Sequence, residues 1–475
     1  KILGQEYLGV NSLFSNIIYM LNIVELGLGT AIIYNLYKPV SQKDTEQIKS
    51  LLMFYRKAYR IIAFIILIIG ICIIPFLKQI VGEIKIEESI YVIFGLFLLD
   101  SVFSYLLTYK RSILYATQNT YIVNIVHIFY IIVMNIVSSL ILIFIGDYYI
   151  YLSSKILFRI LENVIINIIA QNMYPYIRDK EVVKLENIKV REIAEKIKAL
   201  FFHKIGEVML LGTDSIIISR FLGVIWVGLY SNYNMIVNAI SGIFGQVFSA
   251  ITASVGNLLV EENKEKIYKT YKKMILLNFW TASFCSISIF CLMKPFIIFW
   301  IGESYLLSTS VLFAIVLVFY MQSMKKTLKV FKEGAGKFEQ DRYIPILESM
   351  INIVFSILFV KKIGLIGVFL GTFISTLVLY CYSFPKLVYK DIFNRSYKEY
   401  IIEYVTYAII MLFVMVLTYL CTEIVQSNNQ FMQLIINGIL CILIPNIIYY
   451  IIYRKTEEFE FYKDIIVNRL KNIKH

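Results

Sequence analysis

The chain repeats itself at half its length, and this constrains its fold more than any single motif does. Leu3-Gly4-Gln5-Glu6-Tyr7-Leu8-Gly9 returns as Leu222-Gly223-Val224-Ile225-Trp226-Val227-Gly228. In the same register Ser12 meets Ser231, Phe14 meets Tyr233, Glu46 meets Glu265 and Cys72 meets Cys291. One inserted residue later, Pro75-Phe76 meets Pro295-Phe296, and Val81-Gly82-Glu83 meets Ile301-Gly302-Glu303. Glycines, charges and apolar residues recur in one frame, so the chain is expected to hold two copies of one design.

The apolar runs say what each copy is. Hydrophobic residues make up 59% of the 475 positions and charged residues 17%. A soluble protein of this length has too little interior for so many Ile, Leu, Phe and Tyr side chains. The chain reads instead as stretches of about 20 apolar residues, each able to cross a hydrocarbon core of about 30 Å. Spans are expected near 8–35, 61–81, 89–109, 121–144, 149–173, 203–221, 226–257, 275–300, 308–324, 343–360, 364–385, 400–422 and 431–453. The span near 308–324 is expected to end early, at Lys325 and Lys326. The repeat places 203–221 just before Leu222-Gly223, so a matching span is expected ahead of Leu3-Gly4, before Lys1. The expected fold is therefore all-α and polytopic, with two six-helix lobes repeated in parallel and two additional C-terminal helices. The N-lobe covers 1–173, a basic connection 174–202, the C-lobe 203–386, and the two extra spans with a basic tail 387–475.

Basic residues orient these spans. Lys38, Lys43, Lys49, Arg56, Lys57 and Arg60 share one connection, and Lys264, Lys266, Lys269, Lys272 and Lys273 share its repeat mate. The tail after Arg454 is basic as well. Such loops stay on the cytoplasmic side, so these segments are expected to face inward. The net charge of +13 is then a topology signal and an attraction to anionic lipid, with no nucleic-acid partner implied. The six cysteines lie in or beside apolar spans without metal or redox spacing. No phosphate-binding loop, metal-ligand set or nucleophile elbow occurs, so neither an enzyme activity, a metal nor a cofactor is expected.

Polar residues inside spans are costly and therefore informative. Asn11, Ser15, Asn22, Glu25 and Gly29 form one stripe on the first span, and Ser231, Asn234, Asn238 and Ser241 form its repeat mate. Such paired stripes either line a shared cavity or join helices to one another. Lys155, Arg159, Glu162, Asn163 and Asn167 share a face of 149–173, and Asp100, Ser104 and Thr108 share one of 89–109. Two readings of Arg159 stand: a cavity cation, or a neutral brace with Glu162 one turn on. His127 reads as a packing residue or a cavity residue, and Lys155 and Arg111 as snorkelling or cavity cations. Asp214 and Glu348 are mid-span carboxylates, suited to gating, to ion coupling or to a buried pair with a base. Glu25 has no base on its own helix and must pair across helices or hold a proton.

The segments Leu3–Phe14, Glu25-Leu26-Gly27 and Leu36-Tyr37-Lys38-Pro39 resemble the opening of bacterial polysaccharide flippases of the multidrug/oligosaccharidyl-lipid/polysaccharide exporter superfamily. Gly228-Leu229-Tyr230-Ser231-Asn232-Tyr233, Glu348-Ser349-Met350-Ile351-Asn352 and Gly364–Thr372 are similar to later segments of the same family. The resemblance implies a V-shaped pair of lobes in a bacterial cell membrane. It also implies flipping of undecaprenyl-pyrophosphate-linked oligosaccharide repeat units, for O-antigen, capsule or exopolysaccharide assembly, by alternating access. Polymerase and glycosyltransferases of the same pathway would be partners. On that view Lys155, Arg159, Lys204 and Arg220 attract the pyrophosphate, Asn22, Asn234 and Asn238 meet sugar hydroxyls, and Glu25, Asp100, Asp214 and Glu348 serve gating or ion coupling. Competing readings are a sodium- or proton-coupled drug or metabolite exporter of the same fold, a peptidoglycan-precursor flippase, and a membrane-embedded glycosyltransferase or polymerase.

Overall fold

The computed structural model of the chain describes residues 2–25, 28–106, 108–178, 185, 212–337, 343–380, 383–427 and 429–473. These residues are helical with short connections. Ten of the described helices are long and apolar enough to cross a bilayer. The chain is a multi-pass, all-α membrane protein. It divides into two compact units, Lys1–Gly228 and Leu229–His475.

The first unit opens with α1 (Gln5–Leu21), a 3₁₀ turn at Asn22–Glu25 and α2 (Leu28–Ser41). The expected single span 8–35 is thus interrupted near its middle, a correction to the sequence reading. The interruption falls where the stripe is most polar. The Asn22 side-chain oxygen there accepts a 2.9 Å hydrogen bond from Ser101 of a neighbouring helix. α3 (Thr45–Ile73) starts where the Asp44 carboxylate caps the Gln47 amide. It runs unbroken from the basic connection into the apolar core. α4 (Ile90–Leu106), the short α5 (Arg111–Ala116), α6 (Thr120–Phe144) and α7 (Tyr148–Met173) follow. Asp147 caps α7 at the Ile150 amide.

Residues 212–222 form α8, the described end of the expected span 203–221. It is tied to the first unit by Asn16 to Ser215 at 2.7 Å and by Ser219 to the Ile80 carbonyl at 2.7 Å. The first turn of α9 (Val224–Glu261) also lies in this unit and crosses α1 closely. A methyl on Gly9 would overlap the Val224 carbonyl, and one on Gly228 would stand 2.8 Å from the Gly9 nitrogen. Gly9 and Gly228 are the glycines that the repeat pairs with each other, so repeat-related helices meet at repeat-related residues. Only glycine permits backbones this close.

The second unit holds the rest of α9, then α10 (Lys264–Trp300), α11 (Thr309–Gly334), α12 (Ile344–Ile363) and α13 (Leu365–Tyr380). α11 does not end at Lys325 as expected. It continues through Lys325, Lys326, Lys329 and Lys332 to Gly334, because the unit accommodates these charges. Lys325 meets Glu348, Lys326 donates to the Ser241 carbonyl, and Lys332 lies buried over the Phe384 ring. Asn278 on α10 is fully buried and donates to Ser323 O, Met324 O and Thr327 Oγ1, which fastens α10 to α11. Between α12 and α13, a methyl on Gly367 would collide with the Phe359 backbone and one on Gly371 with Ser356, so the two helices pack backbone to backbone.

After a π-helical segment at Lys386–Phe393 come the two additional helices, α14 (Tyr397–Ile424) and α15 (Gln430–Tyr453). Aromatic contacts hold them on α10: Phe279 stacks on Tyr407 at 4.4 Å, Trp280 donates to Asn446 at 2.7 Å, and Ser283 bonds Tyr449. The tail, which carries no expected helix, folds into α16 (Glu457–Ile473). Phe459 stacks on Trp280, and Tyr462 donates to the Lys273 carbonyl at 3.1 Å. Burial pushes the Tyr462 phenol up to about 12, so it remains a donor at any physiological pH.

Candidate functional site

The densest polar constellation in the first unit lies among α4, α5, α6 and α7. The helical stripe of α7 presents Arg159, Glu162 and Asn163 together, since residues three and four apart share a face. Glu162 is the hub. Its side chain is fully buried, and its Oε1 receives Arg111 Nη2 at 3.1 Å and His127 Nδ1 at 2.9 Å. Its Oε2 lies 3.5 Å from Arg159 Nη1. Arg159 also faces Asp100 at 3.5 Å through Nε, and its guanidinium stands over the Tyr130 ring. Asn163 accepts from Arg111 at 3.2 Å and donates to the Phe103 carbonyl, closing the network onto α4.

Two guanidiniums therefore face two carboxylates, with His127 as a fifth member. Arg159 is paired with both Glu162 and Asp100, and Arg111 is drawn inward to Glu162. Lys155, one turn before Arg159, lies over the Tyr151 ring at 4.2 Å. Part of the cluster is accessible, since Arg159, Asp100 and His127 keep 30%, 33% and 43% of their side-chain surface. Several polar atoms are nevertheless buried without a hydrogen bond: Asp100 Oδ1, Glu162 Oε2, Asn167 Oδ1, Arg111 Nε and Arg159 Nε.

The broken first span supplies a second polar locality in the same unit. Glu25 ends the 3₁₀ turn, and its carboxylate lies beside the Tyr59 and Tyr105 hydroxyls. It thus meets phenols across helices. Asp214 is half-buried on α8, and Arg220 is exposed at the end of that helix. Lys204 lies outside the described residues.

In the second unit Glu348 is buried between α11, α12 and α13. It receives Thr376 Oγ1 at 3.0 Å and Lys325 Nζ at 3.4 Å. Asn352, one turn on, donates to Thr372 at 2.8 Å. Asn234 is half-buried and Asn238 exposed on α9, and the structure does not bring them to Glu348. Sequence reasoning passed over Lys325 and Lys326 as site members, because each stands at the edge of an apolar run and reads as an interfacial charge, whereas Arg111 was open as a cavity cation and joins the network at Glu162. Among the described residues no group of three His, Cys, Asp or Glu side chains is arranged to hold a metal ion.

No protein-family model matches the chain, and no curated protein matches it. Solved structures do share its fold. The lipid II flippase MurJ, in an inward closed conformation, superposes with a TM-score of 0.61 at 16% identity, over 95% of this chain and 97% of MurJ. An inward-facing multidrug resistance MATE family transporter of the MOP superfamily gives 0.58 at 15% identity, over 79% of this chain and 88% of that one. A variant of the Vibrio cholerae MATE transporter VcmN gives 0.52 at 11% identity, over 81% and 90%. The likeness is one of fold, shared with multidrug transporters and a lipid flippase alike, and it does not single out the polysaccharide branch.

Proposed function

We propose that the chain is a membrane transporter, working by alternating access, whose substrate is a lipid-linked saccharide. In the finer reading this is an undecaprenyl-pyrophosphate oligosaccharide moved from the inner to the outer leaflet of a bacterial inner membrane. The observation that carries the reading is the α4–α7 cluster. Charged groups at the centre of a bilayer-spanning helix cost about 2.5–3.5 kcal/mol each, so a network of five with open edges is retained for a polar passenger or for a strong structural reason. A hydrated, hydrogen-bonding face suits a sugar headgroup while a prenyl tail stays in lipid. The broken first span adds support, because discontinuous helices place backbone polar groups where a substrate passes. The fold match to the lipid II flippase covers 95% of this chain, whereas the MATE match covers 79%.

The test is surface-polymer export in a bacterial host lacking its own flippase. Wild type should restore export, Arg159→Gln should abolish it at unchanged membrane abundance, and Arg159→Lys should retain part, since a point charge survives while bidentate geometry is lost. Normal export by Arg159→Gln would remove the residue from the site. Loss of abundance in Arg159→Gln that Glu162→Gln restores would make it a brace.

A second reading is a cation-coupled exporter of a drug or metabolite. The half-buried Glu25 among tyrosine hydroxyls at a helix break favours it, since a carboxylate among hydroxyl groups is suited to bind and release a proton or sodium ion. Gradient-driven efflux of a small cationic dye from vesicles, abolished by Glu25→Gln, would support this reading over the first.

A further inference from the structure

We infer that the α4–α7 cluster is a saccharide subsite, which takes ring hydroxyls of a headgroup and not its phosphates. The inference rests on the transport reading above and names what this cluster binds.

The charge balance gives the first argument. Arg111 and Arg159 are matched by Asp100 and Glu162 within 3.1 to 3.5 Å. An incoming pyrophosphate would feel attraction and repulsion from nearly the same place, and the two cancel at any dielectric. To be bound it would have to strip Arg159 from two carboxylates and leave both buried beside its own negative charge. A neutral polar ligand meets no such conflict. On α11, by contrast, Lys325 meets Glu348, Lys326 donates to the Ser241 carbonyl and Lys332 lies over the Phe384 ring.

The unsatisfied atoms give the second argument, and they are of both kinds. Asn167 Oδ1 is an acceptor and Arg111 Nε a donor, while Asp100 Oδ1 and Glu162 Oε2 meet the Arg159 guanidinium as ion pairs at 3.5 Å without a hydrogen bond. A buried polar atom left without a bond costs about 1–3 kcal/mol, so the cluster calls for an occupant. A phosphate offers acceptors only and would leave the three oxygens facing it. A hydroxyl both donates and accepts, and vicinal hydroxyls present the pair at a spacing that a carboxylate and a guanidinium can share. Asp100, Arg159 and His127 are each partly open, which gives the edge through which a ring could reach the inner atoms.

The test uses the full chain in lipid nanodiscs and two probes that share one prenyl chain. One is a bare prenyl pyrophosphate, and the other carries an N-acetylhexosamine disaccharide on the same pyrophosphate. Titration calorimetry should find the saccharide-bearing probe bound about ten-fold more tightly by wild type. Asn167→Ala, which alters no charge, should erase that advantage while leaving the affinity for the bare pyrophosphate within about two-fold. Tighter binding of the bare probe than of the saccharide-bearing probe by wild type would make the cluster a phosphate site and overturn the inference. Equal affinity of wild type for both probes would show that water alone fills the cluster, and would overturn the subsite while leaving the transport reading intact. Binding of neither probe would overturn the lipid-linked reading and this subsite with it.

Discussion

Removing the charge of Glu162 tests the hub of the first unit. Glu162→Gln keeps the shape and one acceptor oxygen but leaves Arg111 and Arg159 with less than they need. Hydrogen bonds to a charged group contribute about 1.5–3 kcal/mol each, and Glu162 receives two, from Arg111 and His127. Breaking a buried ion pair from one side costs about 3–5 kcal/mol. Two features reduce this. Arg159 is about a third exposed and keeps Asp100, and Arg111 keeps Asn163. The expected loss is therefore about 2–4 kcal/mol. Interhelical hydrogen bonds in bilayers average about 0.6 kcal/mol, so a loss in the expected range identifies charge rather than hydrogen bonding as the cause. The assay is thermal unfolding of purified protein in nanodiscs, read by tryptophan fluorescence and repeated in a double-mutant cycle with Arg111→Met. The cycle should give a coupling of about 2 kcal/mol, since Arg111→Met costs less once the carboxylate is gone. A loss under about 0.5 kcal/mol, or additive single mutants, would refute the account of Glu162 as a charged hub.

Three further outcomes are expected. Gly228→Val should abolish stable insertion, because its side chain would enter the Gly9 backbone of α1, whereas Gly245→Val, with open space around it, should be tolerated; membrane abundance by quantitative blot decides. Asn278→Leu should destabilise by about 1–3 kcal/mol through the carbonyls and hydroxyl it leaves on α11, and an unchanged unfolding midpoint would show that these groups find other partners. Cysteines placed at Lys43 and Lys269 should resist impermeant thiol reagents in intact cells and react after permeabilisation, and labelling of intact cells would invert the topology.

Much of this architecture was legible before any coordinates, because a bilayer imposes length and apolarity on every crossing element. The spans near 121–144, 275–300 and 431–453 correspond to α6, α10 and α15. What escaped was local. The turn at Asn22–Glu25 has the same composition as a continuous helix, and the Ser101 hydroxyl that meets Asn22 there comes from another helix. The continuation of α11 past Lys325 depends on Glu348, which the sequence places far away. Periodicity put Arg159, Glu162 and Asn163 on one face. It could not show that Arg111 and His127 converge there from α5 and α6, which turns a cationic stripe into a balanced cluster. Gly9 and Gly228 were visible as repeat mates, yet nothing in one sequence says that mates touch.

The central claim is that this chain carries a lipid-linked saccharide across a bilayer, and proteoliposomes test it most directly. A fluorescent prenyl-pyrophosphate disaccharide is incorporated in both leaflets, and the fraction open to an external, impermeant quencher is followed after the outer leaflet has been bleached. The account predicts recovery of quenchable substrate with the wild-type chain, at a rate at least about ten-fold above empty liposomes, and loss of that recovery in Arg159→Gln. Recovery no faster than in empty liposomes, from vesicles in which the protein is folded and which do expel a small cationic dye, would contradict it.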